Sequence, residues 1–185
     1  MNTNSLNSIR LGGFCRSLLT LAVVVALSSF SATSRAEEAP APANFGADLL
    51  KPQSLTGKAK ELATALENTL ADGQASQADV AKAIHNLEVL KAQEAACIMA
   101  PHISYKGKAR DGISTVFPFV PALTSLKDPA VPYVIAFMEK SNSDSDALLA
   151  ASAVLEIKGS NYKAFVEEIK SKVSAKTYNT LKLLY

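Results

Sequence analysis

Cysteine and histidine are scarce in this 185-residue chain, at two of each. Cys15 precedes an apolar stretch near the N-terminus, and Cys97 stands alone in the rest of the chain. The body therefore cannot close an intramolecular disulfide, and its fold must rest on apolar burial. Zinc needs three or four converging ligands. Cys97 and His102, five residues apart, splay around a helix and have no second cysteine or nearby histidine to join them. No metal or cofactor is expected. Runs of alternating apolar and polar residues bounded by turn signals are also missing, which argues against strands. So is any apolar run long enough to span a bilayer. The longest, Leu18–Leu27, is broken by Thr20 and covers ten residues, against the roughly 20 that a spanning helix requires.

That short run has the layout of an export signal. Arg10 and Arg16 precede it, and small side chains follow at Ser34-Arg35-Ala36. The pattern predicts a signal peptide over 1–36, cleaved between Ala36 and Glu37. A lipidated cysteine would sit at the cleavage point, and Cys15 does not. There is no twin-arginine pair, so the general secretory route and a periplasmic or secreted location are expected. Losing Arg10, Arg16 and Arg35 turns the formal charge from +2 to −1. The basic balance of the full chain then gives no argument for nucleic acid, and no nucleic-acid partner is expected. Charge is nonetheless uneven. From Lys158 onward six lysines face two glutamates, on an otherwise acidic body.

After the leader, the Pro/Ala-rich stretch 37–53 reads as an extended linker, and 54–185 as one helical domain. Ala59, Leu62, Ala63, Leu66 and Leu70 recur at helical spacing up to Asp72-Gly73. Ser76 with Asp79 forms a capping-box pattern, ahead of Val80, Ile84 and Leu87. Pro101 is expected to end or kink the helix bearing Ala95, Ala96 and Met99. Pro118 and Pro121 predict a short or broken helix within 113–126. Asp128-Pro129 reads as a cap and first turn for the Val131, Val134, Ile135, Met138 stripe. Leu148, Ala151, Ser152 and Leu155 are expected to form the next buried face, ended by Gly159. Ser160 and Ser174 are expected to cap the last two helices. The domain is predicted all-α, with about eight helices.

Three segments share one pattern. Leu90-Lys91, Leu126-Lys127 and Ile157-Lys158 each close a helix-like stretch, and a short break and a new amphipathic stretch follow. Offsets of about 36 and 31 residues suit stacked helical hairpins. Pro129-Ala130-Val131-Pro132-Tyr133-Val134-Ile135, followed by a polar loop and Ala147–Gly159, resembles a unit of the HEAT repeat family. Asp146-Ala147-Leu148-Leu149 stands where the family usually places a basic residue, and Pro118 and Pro121 are additional. The resemblance is best over about 123–159. It implies a short right-handed α-solenoid of about three helix pairs, used for protein binding. A compact helical bundle is the alternative.

Groups able to do chemistry are dispersed. Cys97, among Ala95, Ala96, Ile98 and Met99, reads as a buried structural thiol. His85 reads as a surface residue and His102 as a helix-end residue facing carbonyls. Glu167 and Glu168 point in different directions on a helix. Asp144 and Asp146 lack the glycine and glutamate positions of a calcium loop and read as helix caps. The distinctive stretch is Ser104–Gly112, in which Tyr105, Lys106, Lys108 and Arg110 combine an aromatic with three cations. It lacks the ending of a P-loop, yet its cations and glycines suit a partner or an anion.

These features predict an exported, non-catalytic scaffold or adaptor that binds another envelope protein, with no transmembrane helix after cleavage. A helical accessory domain holding a small ligand or anion, with a cavity lined by Phe117, Phe119, Phe137 and Met138, is the second reading. A hydrolase using Cys97 or His102 is the third.

Overall fold

In the computed structural model, residues 45–51, 55, 57–71, 75–108 and 115–185 are described, without the side chains of 47, 108 and 115. All belong to the unit Ala39–Tyr185. The expected signal peptide 1–36, the expected Ala36/Glu37 cleavage point, most of the expected linker, Asp72-Gly73 and Arg110 lie outside them. The described chain is all-α, with eight α-helices. These are α1 (Gly57–Ala71), α2 (Gln77–Asn86), α3 (Ala92–Met99), α4 (Phe119–Ser125), α5 (Val131–Lys140), α6 (Asp144–Lys158), α7 (Tyr162–Ile169) and α8 (Ala175–Lys182). The one departure is a two-residue antiparallel ladder, β1 (Gly107–Lys108) with β2 (Thr115–Val116). Among the described residues no helix is long and apolar enough to cross a membrane.

Local chemistry sets most boundaries. The Ser76 hydroxyl accepts the Asp79 N–H while the Asp79 carboxylate accepts the Ser76 N–H, closing the capping box on α2. α3 stops at Met99, and Pro101 falls in a 3-10 turn, Ala100–His102. α4 is short. Pro118 precedes it, and Pro121 lies in its first turn, where a missing N–H costs no intrahelical bond. Ser174 caps α8 by accepting the Thr177 N–H.

Three expected caps are corrected. Asp128 opens a 3-10 turn, Asp128–Ala130, but its carboxylate caps nothing; it takes the Lys158 ammonium at 2.8 Å. Ser143, not Asp144 or Asp146, caps α6 by accepting the Asp146 N–H. The two acids lie in the first turn, where the helix dipole favours negative charge. Ser160 is inside the 3-10 turn Gly159–Asn161, and its side chain makes no cap to α7.

The three breaks share a 3-10 turn: Leu87–Val89 before Leu90-Lys91, Asp128–Ala130 after Lys127, and Gly159–Asn161 after Lys158. At the second and third, one residue swings to positive φ: Lys127 at 59° and Gly159 at 51°. By backbone, then, Lys127 corresponds to Gly159 rather than to Lys158. The pattern slips by one residue from the register of the apolar-Lys pairs.

Helices α5 and α6, joined through Ser141–Ser143, pack on each other at the centre; α4 and α8 add to α6, and α1 pairs with α2. The buried side of α6 is Ala147, Ala150, Ala151, Ala153 and Val154. Of the expected Leu148, Ala151, Ser152, Leu155 face, Ala151 is buried and Ser152 and Leu155 are half-buried, whereas Leu148 is 42% exposed and does not belong to it. Alanine lets neighbouring helices approach closely, so α6 is buried over a wide arc rather than along one leucine stripe.

The linker reading also needs correction at its C-terminal end. Ala47–Leu50 forms a 3-10 turn packed on α5 and α3, with Phe45 and Leu50 buried in the core.

Candidate functional site

The Ser104–Gly112 stretch is only partly described. Tyr105 is not a free aromatic anchor. It is half-buried, its N–H donates to the His102 carbonyl at 2.8 Å, and its ring meets Phe119 edge-on at 6.0 Å. Lys106 is exposed. Lys108 is described by its backbone alone, paired with Thr115, and Arg110 lies outside the described residues. The ladder pairs Gly107-Lys108 with Thr115-Val116, and Lys106 comes just before it.

Beside it sits His102, half-buried in its 3-10 turn. Its Nε2 lies 3.1 Å from Glu67 Oε1 of α1, and its ring is 5.6 Å from Phe119. Its partner is thus a carboxylate from another helix, not the helix-end carbonyls expected. Burial lowers the His102 pKa below the ordinary histidine value, and the Glu67 charge and hydrogen bond pull it back up. His85 is exposed, with Nδ1 2.9 Å from Glu88.

Cys97 is buried, and its S–H donates to the Leu49 carbonyl at 3.2 Å. Burial raises its pKa, which keeps it a thiol rather than a nucleophilic thiolate. Phe119 and Met138 are fully packed in the core, with Phe137 partly buried against it. Among the described residues no three His, Cys, Asp or Glu side chains form a metal-binding group.

Two surface features were not assembled from the sequence, although the lysine excess from Lys158 onward was visible there. One is an open depression of about 500 Å³ between α6 and α8, lined by Leu148, Leu183, Asp144, Lys176, Asn179 and Thr180. Leu183 is 76% exposed there. At its edge Lys176 reaches Asp144 at 3.3 Å and donates to the Ser141 carbonyl.

The other is a lysine–tyrosine face on α7 and α8. Glu167 Oε1 accepts the Tyr178 hydroxyl at 3.0 Å and the Tyr185 hydroxyl at 2.6 Å. Lys163 lies over the Tyr185 ring, and Lys170 and Lys182 over the Tyr178 ring, at 5.3–5.9 Å. The Tyr185 and Tyr178 hydroxyls, then the Lys170 and Lys182 charges, hold the Glu167 carboxyl below its usual range. The same bond holds the Tyr185 phenol well above its own. Beneath them Tyr162 is buried and donates to the Leu181 carbonyl at 2.7 Å; burial pushes its pKa up to about 12. The sequence signal was the four-residue spacing of Lys163 with Glu167 and of Tyr178 with Lys182, which stacks side chains on one helix face.

No protein-family model, curated protein or solved structure matches the chain.

Proposed function

We propose that the chain is exported, loses residues 1–36 between Ala36 and Glu37, and serves in the bacterial envelope as a non-catalytic, HEAT-like scaffold that binds another protein. The observation that carries this reading is the recurring joint. A helix ends, a residue takes positive φ just before a 3-10 turn (Lys127) or as its first residue (Gly159), and the next helix begins. A joint used twice is what hairpins stacked in one direction require. In such an array connections and grooves, rather than an enclosed pocket, supply the binding surface.

Three further observations support it. The Cys97 thiol is spent on a backbone carbonyl and sits above its ordinary pKa, which weighs against hydrolysis through that group. Phe119 and Met138 are buried in the core cluster with Phe137 packed against it, which weighs against these residues lining a ligand cavity. Lys106 stands exposed, and Lys106, Lys108 and Arg110 are the proposed electrostatic contact, with Tyr105, packed edge-on against Phe119, as its aromatic neighbour in sequence.

The test uses the full chain expressed in a bacterium, with the exported form sized by mass spectrometry and partners captured from envelope extracts. A mature N-terminus at Glu37 and loss of a defined partner on changing Lys106, Lys108 and Arg110 to alanine are the expected results. Retention of residues 1–36 inside the cell would end the export reading. An unchanged partner set in the triple variant would end the assignment of the contact.

A further inference from the structure

We infer that the lysine–tyrosine face of α7 and α8 is a docking surface for an acidic protein segment. The inference rests on the reading of the domain as a protein-binding module and adds a second surface with a stated partner chemistry.

The argument starts from where the lysine charges go. Of the six lysines from Lys158 onward, three are used in ion pairs: Lys158 with Asp128, Lys172 with Glu168 and Lys176 with Asp144. Lys163, Lys170 and Lys182 are exposed and have no carboxylate within ion-pair distance among the described residues. Each lies over a tyrosine ring instead. A ring face attracts an ammonium without neutralising it, so these three charges remain available on one side of the molecule. The carboxylate among them, Glu167, has one oxygen committed to two phenol donors. The face keeps a net positive charge, which complements an acidic partner, and carries two tyrosine rings, a residue type enriched at protein interfaces.

The partner follows from the arrangement. A membrane contact needs apolar side chains entering beside the cations. Leu183, the highly exposed apolar residue that follows α8, instead lines the α6–α8 depression with Leu148. Glu167 among the lysines also opposes a dense sheet of phosphates, while separate carboxylates of a peptide can reach the ammoniums around it.

The experiment measures binding of the full-length protein to a labelled oligoglutamate peptide by fluorescence anisotropy, beside co-sedimentation with phosphatidylglycerol vesicles. Changing Lys163, Lys170 and Lys182 together to glutamine is expected to weaken peptide binding by about tenfold or more, and raised salt to weaken the native complex. Arginine at the three positions should restore binding. Glu167→Gln should tighten it, since a like charge is removed from the face. Glutamine at Lys60, Lys82 and Lys91 should leave it unchanged, and circular dichroism checks that each variant is folded. Equal binding by the native and triple-glutamine proteins, or no peptide binding at all, overturns the inference. Preference for the vesicles over the peptide overturns it as well, by making the face a lipid contact. The partner-capture result with the Lys106, Lys108 and Arg110 variant reports separately on the scaffold reading.

Discussion

Lys127 carries the clearest local strain. At φ 59° and ψ −144° it holds a backbone conformation that glycine adopts far more readily than any residue with a Cβ, at a cost of about 1–3 kcal/mol. Gly159 fills the corresponding place with φ 51° and open space where a Cβ would stand. Lys127→Gly is therefore expected to stabilise the domain by about 1 kcal/mol, and Gly159→Ala to destabilise it by about the same amount through backbone strain alone. Urea midpoints measure both. His102 gives a pH-dependent contribution whose sign follows from its environment. Its folded pKa lies below its unfolded value, because burial disfavours the imidazolium more than Glu67 rescues it. The unfolded chain then binds the proton better. The contribution is fully present above pH 6.5 and is lost as pH falls through the lowered folded value. Glu67→Gln removes the rescue and should steepen the loss of stability between pH 7 and 5. His102→Gln should flatten it. A series of urea midpoints across that range distinguishes the two.

At the scale of elements, capping was legible because its chemistry is local. Ser76 with Asp79 and Ser174 before α8 could be read from neighbouring residues, and the same bonds form in the fold. Ser160 had the same look, but the backbone turns at positive φ just before it and places its hydroxyl inside a 3-10 turn. Ser76→Ala should accordingly cost about 1 kcal/mol, and Ser160→Ala should stay within about 0.5 kcal/mol, both by thermal or urea unfolding. The buried side of α6 was illegible for a different reason. Leucine outweighs alanine in any apolar pattern, yet close helix approach selects alanine, so Ala147, Ala150 and Ala153 went inside and Leu148 stayed partly out. Of the candidate contacts, Tyr105 read as exposed because residue type alone does not reveal Phe119 beneath it. The Glu167 cluster joins α7 to the end of the chain across 18 residues, beyond the reach of helical spacing within one element.

For the whole molecule, the segment before α1 decides where the domain begins. Its composition is that of a linker, and nothing periodic marks Phe45 or Leu50 as core residues. Their burial comes from contacts distant in sequence, against α3 and α5. The Leu49 carbonyl also holds the Cys97 thiol 48 positions away. A short segment tied this way acts as a stopper on the core: removing its apolar anchor leaves a cavity and exposes the thiol together. Leu50→Ala is expected to destabilise the domain by about 2–5 kcal/mol, whereas Val89→Ala, at a position 73% exposed, should change it by less than about 0.5 kcal/mol. Native Cys97 should react slowly with a thiol probe, because it is buried and its pKa is raised; in Leu50→Ala the same probe should label it much faster under conditions where both proteins are folded. If Leu50→Ala kept the native urea midpoint and the slow labelling, the segment would be an ornament on the domain. A loss of stability with fast labelling makes residues 45–51 its first structural element.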